Sequence, residues 1–163
     1  MGLDILNQTI LGFGWDEGPN LATARVDHMC GTMTKEGKRL ILVVGGSSNG
    51  SSNGDQTDCE YMELPTIDGK KTWPWKKCTD LPIPLSGAEL IEDLETGDVL
   101  LLGGHTKLST QNTIYRLSDI TGEWILQKQT LKAAREYFSA LVVPPDIFDC
   151  DESSSKITYR DEL

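Results

Sequence analysis

The sequence predicts an all-β protein assembled from repeated four-stranded antiparallel units. Three observations carry this. An apolar run closed by a glycine pair occurs twice, as RLILVVGG ending at Gly45-Gly46 and as DVLLLGG ending at Gly103-Gly104. Behind each pair come a tyrosine, a tryptophan and a leucine in the same order: Tyr61, Trp75 and Leu81, then Tyr115, Trp124 and Leu131. Short apolar runs are separated by Gly-bearing turns, and no stretch shows helical periodicity over 11 residues or more.

The elements follow in chain order. Trp15 and Leu21 show the same Trp-to-Leu step as Trp75 and Leu81, so residues 1–20 read as the outer strands of a preceding unit. The first whole unit, 21–80, has strands expected near 27–34, 39–44, 58–64 and 72–78. The second, 81–130, has them near 87–93, 98–102, 112–117 and 123–128. Residues 131–150, opening LKAAREYFSALVVP, match the start of a further unit, and 151–163 form a polar tail. Glu36-Gly37, Asp68-Gly69, Thr96-Gly97 and Thr121-Gly122 stand between strand runs, where glycine supplies the positive φ that tight hairpins need. A four-stranded unit of this size cannot bury both faces alone and must stack on its neighbours, which is the architecture of a propeller. The glycine pairs fit crowded inner strands that leave little room for a Cβ.

This pattern resembles the Kelch repeat family of β-propellers. The residues that carry the resemblance are Gly45, Gly46, Tyr61 and Trp75, with Gly103, Gly104, Tyr115 and Trp124, over about 15–145. The first cycle departs from the family spacing through the insertion SSNGSSNGDQTD, which a surface loop tolerates. Propellers close with about four to eight blades. Two whole units between two partial ones therefore read as a fragment of a propeller, the alternative being an open arc with exposed edges that invite pairing.

Composition bounds the function. The chain has 163 residues, with 38% hydrophobic and 25% charged, and its net charge is −10. Its longest aliphatic run, Leu40 to Val44, is far below the ~20 residues of a membrane span, so no membrane insertion is expected. An acidic surface repels phosphate backbones, and nucleic acid is not expected as a partner. Cys30, Cys59, Cys78 and Cys150 form no Cys-x-x-Cys motif and only His28 and His105 accompany them, so no metal and no cofactor are expected. Counting outward from the Asp68-Gly69 turn brings Cys59 opposite Cys78 and Glu60 opposite Lys77, which makes the cysteines a candidate disulfide. Pro65 and Pro74, in the arms of that hairpin, leave room for a bulge. Cys30, on an inner strand, reads as a small buried hydrophobe.

No catalytic residues are expected. Neither histidine stands beside a nucleophile elbow, and Thr66 to Trp73 only approximates the Asp-box of sialidase-like propellers, with no partnered arginine cluster behind it. The Kelch resemblance implies a non-enzymatic binding module that takes a protein or peptide on the loops between units and after the glycine pairs. Its candidate contacts are Arg25, Asn49, Asn53, Asp55, His105, Lys107 and Arg135. The alternative is a propeller hydrolase or oxidase, sialidase-like or galactose-oxidase-like, whose catalytic residues lie mostly elsewhere. Asn7 and Asn49 head glycosylation sequons. The closing Arg160-Asp161-Glu162-Leu163 resembles an endoplasmic-reticulum retention signal, which implies the secretory pathway if a signal peptide lies upstream and the cytoplasm otherwise.

Overall fold

Eight short strands form two four-stranded antiparallel sheets in the computed structural model, which describes residues 18–48, 50, 54–64 and 74–143. The first sheet runs β1 (Met29–Lys35), β2 (Lys38–Val44), β3 (Cys59–Glu63) and β4 (Lys76–Lys77). The second runs β5 (Glu89–Glu92), β6 (Val99–Leu102), β7 (Ile114–Leu117) and β8 (Ile125–Leu126). Each strand pairs with the next in sequence, so each sheet is a meander, and the described residues contain no α-helix. No helix among them is long and apolar enough to cross a membrane.

The second strand of each sheet is its spine. β2 reads KRLILVV and buries Leu40, Leu42, Val43 and Val44, while β6 reads VLLL and buries Val99, Leu101 and Leu102. A half-buried antiparallel strand would alternate in and out. Both strands, each paired on both edges, break that alternation near their ends, where Val43-Val44 and Leu101-Leu102 are buried in succession. The edge strands β4 and β8 are only two residues long and exposed, and the two lysines of β4 blunt its edge.

The sheets pack with β1 against β5, and Gly31 permits the approach. A Cβ there would lie 2.9 Å from the Leu90 side chain. Thr32 donates to Glu92 across this seam (2.6 Å), and Lys35 reaches the buried carboxylate of Asp98 (3.1 Å). Burial pushes the Asp98 carboxyl up, but hydrogen bonds from Arg116 and Lys35 together outweigh it and hold the group below the ordinary aspartate range.

Both glycine pairs answer a double demand of conformation and space. Gly45 and Gly46 have φ of +58° and +91°, and Gly103 and Gly104 have +60° and +91°. A Cβ on Gly45 would stand 2.4 Å from the Leu85 carbonyl oxygen, and one on Gly103 2.5 Å from that of Arg135. The carbonyls come so close because they accept backbone bonds at each pair: Gly46 donates to Leu85 (2.9 Å) and Gly104 to Arg135 (2.8 Å). The pairs are therefore joints between successive units.

Three local expectations need correction. Gly122 does not take a positive φ; the turn is organised by Asp119, whose carboxylate accepts from the Thr121 amide (2.8 Å) and hydroxyl (2.7 Å). Tyr61 and Tyr115 are not equivalent, because Tyr115 opposes Leu101, one residue before the end of its spine, while Tyr61 opposes Leu42, two before. Glu60 is the residue that matches Tyr115. Cys30 is exposed, since β1 turns Met29 and Met33 inward. The tryptophans do match: Trp75 donates its indole N–H to Pro19 (2.9 Å) and Trp124 to Thr79 (3.0 Å). The Asp68-Gly69 turn, Asn7, Asn49, Asn53, Cys150 and the C-terminal tetrapeptide lie outside the described residues.

Candidate functional site

The loops that follow the glycine pairs and the segments that enter each unit meet on one face. Asp27 lies just before the first sheet, Gly87 just before the second and Tyr137 beyond it, and all three have positive φ (+54°, +62° and +51°). They are strung together by their main chains: Gly87 donates to Asp27 (2.9 Å), and Tyr137 donates to Gly87 (2.8 Å). Only the middle member is a glycine, and the space there is tight, since a Cβ on Gly87 would sit 3.1 Å from the Tyr137 ring and 3.3 Å from His105 Nδ1.

The residues just before Gly87 and Tyr137 reach across to neighbouring loops. Ser86, 1% exposed, donates its hydroxyl to Asp55 Oδ1 (2.8 Å). Glu136 accepts from the Thr110 hydroxyl (3.2 Å). His105 lies between, its Nε2 3.0 Å from Ser86 Oγ and its Nδ1 2.7 Å from Glu136 Oε2, the latter out of line for a straight hydrogen bond. Tyr137 tilts against the imidazole at 5.7 Å between ring centres, and its hydroxyl donates to Asp27 (3.2 Å). Partial burial, then the Asp27 carboxylate, push the Tyr137 phenol up, with Glu136 and Asp55 adding to the shift.

A serine, a histidine and a carboxylate in line invite a nucleophilic reading. Ser86 fits it poorly: the residue is 1% exposed, and its hydroxyl also lies 2.8 Å from the Asp55 carboxylate. No group of His, Cys, Asp and Glu suited to a metal ion occurs among the described residues.

The expected contact residues divide. Asp55 and His105 belong to this cluster, and Lys107 is exposed on the same loop as His105. Arg135 is exposed, with its guanidinium 5.7 Å from the centre of the Phe138 ring. Arg25 is elsewhere in role: its guanidinium is fully buried, donating to the carbonyls of Gly45 and Asp58 (both 3.0 Å) and to Glu60 (2.6 Å). It ties its own unit together and cannot meet a partner. Cys59 and Cys78 form a disulfide with a Cα separation of 5.1 Å, and Glu60 pairs with Lys77 beside it. Ser86, Glu136, Asp27 and Tyr137 escaped the sequence reading. Aligning the units on their glycine pairs would have placed all four at two adjacent positions.

No family model matches the chain. Over 121 residues, 74% of this chain, it is 28% identical to tRNA wybutosine-synthesizing protein 4 of Neurospora crassa, and it spans about 9% of that protein's length. The match overturns two expectations, that the chain stands apart from enzymes and that nucleic acid is excluded as a partner, because that relative is named for a synthesis on tRNA. Both extended a property of one segment to a whole protein. The missing catalytic cluster and the net charge of −10 describe 163 residues, whereas the matched part of the relative is a small fraction of it.

Proposed function

We propose that the chain contributes Kelch-type propeller blades to a tRNA-modifying protein and that its loop face holds a partner protein or peptide of that machinery. The observation that carries the reading is the convergence of three successive units on one face, joined through Asp27, Gly87 and Tyr137. A rigid β scaffold of this kind presents loops in fixed relation. The face offers apolar anchors, with Leu108 91% and Tyr137 64% exposed, beside the carboxylates of Asp27, Asp55 and Glu136. Exposed aromatic and aliphatic anchors ringed by polar groups are typical of binding hot spots. The negative charge favours a partner segment that carries lysine or arginine, chiefly by speeding encounter.

The test is a chimera in which residues 18–143 replace the matched segment of the Neurospora protein, with wybutosine in cellular tRNA read by mass spectrometry. The unaltered chimera should sustain the modification, and Lys107→Ala with Leu108→Asp should lower it several-fold at equal protein level. Loop variants that accumulate normally and modify tRNA as well as the unaltered chimera would refute the binding role. Loss of naked tRNA binding with the same variants would move the reading to direct RNA contact.

A further inference from the structure

The outermost strands of the two sheets occupy the same place and present different chemistry. Cys78 donates its backbone N–H to Cys59 (3.0 Å) and Gln127 donates to Ile114 (2.8 Å), so Lys76-Lys77 of β4 and Ile125-Leu126 of β8 are equivalent pairs. All four residues are exposed. Lysines keep a free edge from pairing with another chain. Ile125 and Leu126, each 56% exposed, leave the β8 edge apolar on both faces, because successive side chains of a strand point to opposite sides. The main chain is open as well. Hydrogen-bonded pairs alternate in an antiparallel ladder, and the bond from Gln127 to Ile114 makes Ile125 opposite Arg116 the next bonded pair. Leu126, between them, therefore turns its N–H and C=O away from β7, and no described residue bonds to them.

We propose that this edge docks an extended strand of another protein, which adds to the second sheet as a fifth, antiparallel strand beside β8. Backbone bonds to Leu126 and, by the same alternation, to Trp124 anchor it, with apolar residues over Ile125 and Leu126. Charge sets the rest of its chemistry. Glu123 and Lys128 flank the apolar pair, both exposed and neither ion-paired among the described residues. A complementary strand has an acidic residue opposite Lys128, two adjacent apolar residues, and a basic residue opposite Glu123.

A second copy of this chain does not meet these demands. Its own EWILQK carries the required order of charges, but setting Glu123 opposite Lys128 puts Leu126 opposite Ile125. Directly opposite residues in an antiparallel ladder are bonded together or not at all. The main-chain groups of Ile125 already face Arg116, so the charge match and the ladder exclude each other. A two-residue strand buries little, short of the ~1,200 Å² of stable interfaces, and the contact is a transient one. It shares no residue with the loop face and does not depend on the function proposed above.

The probe is the capped peptide Thr-Glu-Thr-Ile-Val-Thr-Lys-Thr, titrated into the full chain and followed by amide NMR spectra and hydrogen exchange. The amides of Trp124 and Leu126 should shift and exchange more slowly, whereas those of Lys76 and Lys77 should not move. Ile125→Lys with Leu126→Lys copies the pair that the first unit carries at the same place, so it should fold normally. It should bind the peptide at least about tenfold more weakly. A peptide with its Glu and Lys exchanged should bind about twofold to fivefold more weakly than the first. Glu123→Lys with Lys128→Glu should invert that preference. Unchanged amides at millimolar peptide, equal binding by the lysine variant, or no inversion in the charge-reversed one would overturn the proposal. So would protection of Leu126 in the chain alone that grows with its concentration, because the occupant would then be a second copy.

Discussion

Within one chain, two equivalent positions solve the same packing problem with opposite chemistry. In the first unit they hold Arg25 and Glu60, joined at 2.6 Å with side chains 0% and 6% exposed. In the second they hold Leu85 and Tyr115, at 1% and 8%. Arg25→Leu would leave the Glu60 carboxylate buried with a single donor, the Ala22 amide at 2.8 Å, and would strip the Gly45 carbonyl of its guanidinium. Breaking a buried pair from one side costs about 3–5 kcal/mol. Glu60→Tyr alone strands the guanidinium on carbonyls and should cost a similar amount. The double change installs the pair that the second unit already packs, and replacing a buried ion pair by apolar residues is often neutral. We therefore expect the double variant within ~1 kcal/mol of the parent, although each single loses ~3 kcal/mol or more. The assay is urea unfolding of the four proteins followed by circular dichroism, with midpoints compared at equal m-value. A double variant as unstable as the sum of the singles would refute the equivalence of the two sites.

Other outcomes follow from particular contacts. Gly45→Ala should destabilise by ~2–3 kcal/mol, combining a left-handed backbone (~1–2 kcal/mol) with loss of the Gly46-to-Leu85 hydrogen bond (~1 kcal/mol). Gly37→Ala, at φ +73° with nothing within 4 Å of the added Cβ, should cost only the backbone share, and thermal unfolding of the two variants separates the causes. Reducing the Cys59–Cys78 bond, which closes a separation of 19 residues, should remove ~3 kcal/mol in chemical unfolding with and without dithiothreitol. Asp98 has a depressed folded-state pKa, so its contribution is present above the ordinary aspartate range and is lost as pH falls through the lower folded value. Asp98→Asn should flatten that acid limb of a stability-versus-pH curve.

The strands were readable because their causes are local. Gly-Gly closes two apolar runs, and a two-residue turn such as Glu36-Gly37 fixes the register of β1 on β2, from Met29 opposite Val44 to Lys35 opposite Lys38. The Cys59–Cys78 pairing was likewise within reach of counting from a turn. Tyr61 misled because a tyrosine one residue out of step faces the other side of the sheet, and only the hydrogen-bond register shows the slip. Arg25 misled because an arginine in an entry segment looks solvent-facing until its four acceptors are in place. The polar cluster on the loop face was the least legible part. Asp55, Ser86, His105 and Glu136 are spread over 81 positions and meet only because the units stack, and nothing in the spacing of one unit records that stacking.

Backbone bonds near the glycine pairs stitch successive units together, and amide hydrogen exchange reads those bonds one by one. Gly46, Gly87, Gly104 and Tyr137 donate across a joint to Leu85, Asp27, Arg135 and Gly87 respectively. These four amides should exchange as slowly as those of β2 and β6. Fast exchange at all four beside protected strands would mean that the units do not stack as described, and the loop face would lose its basis.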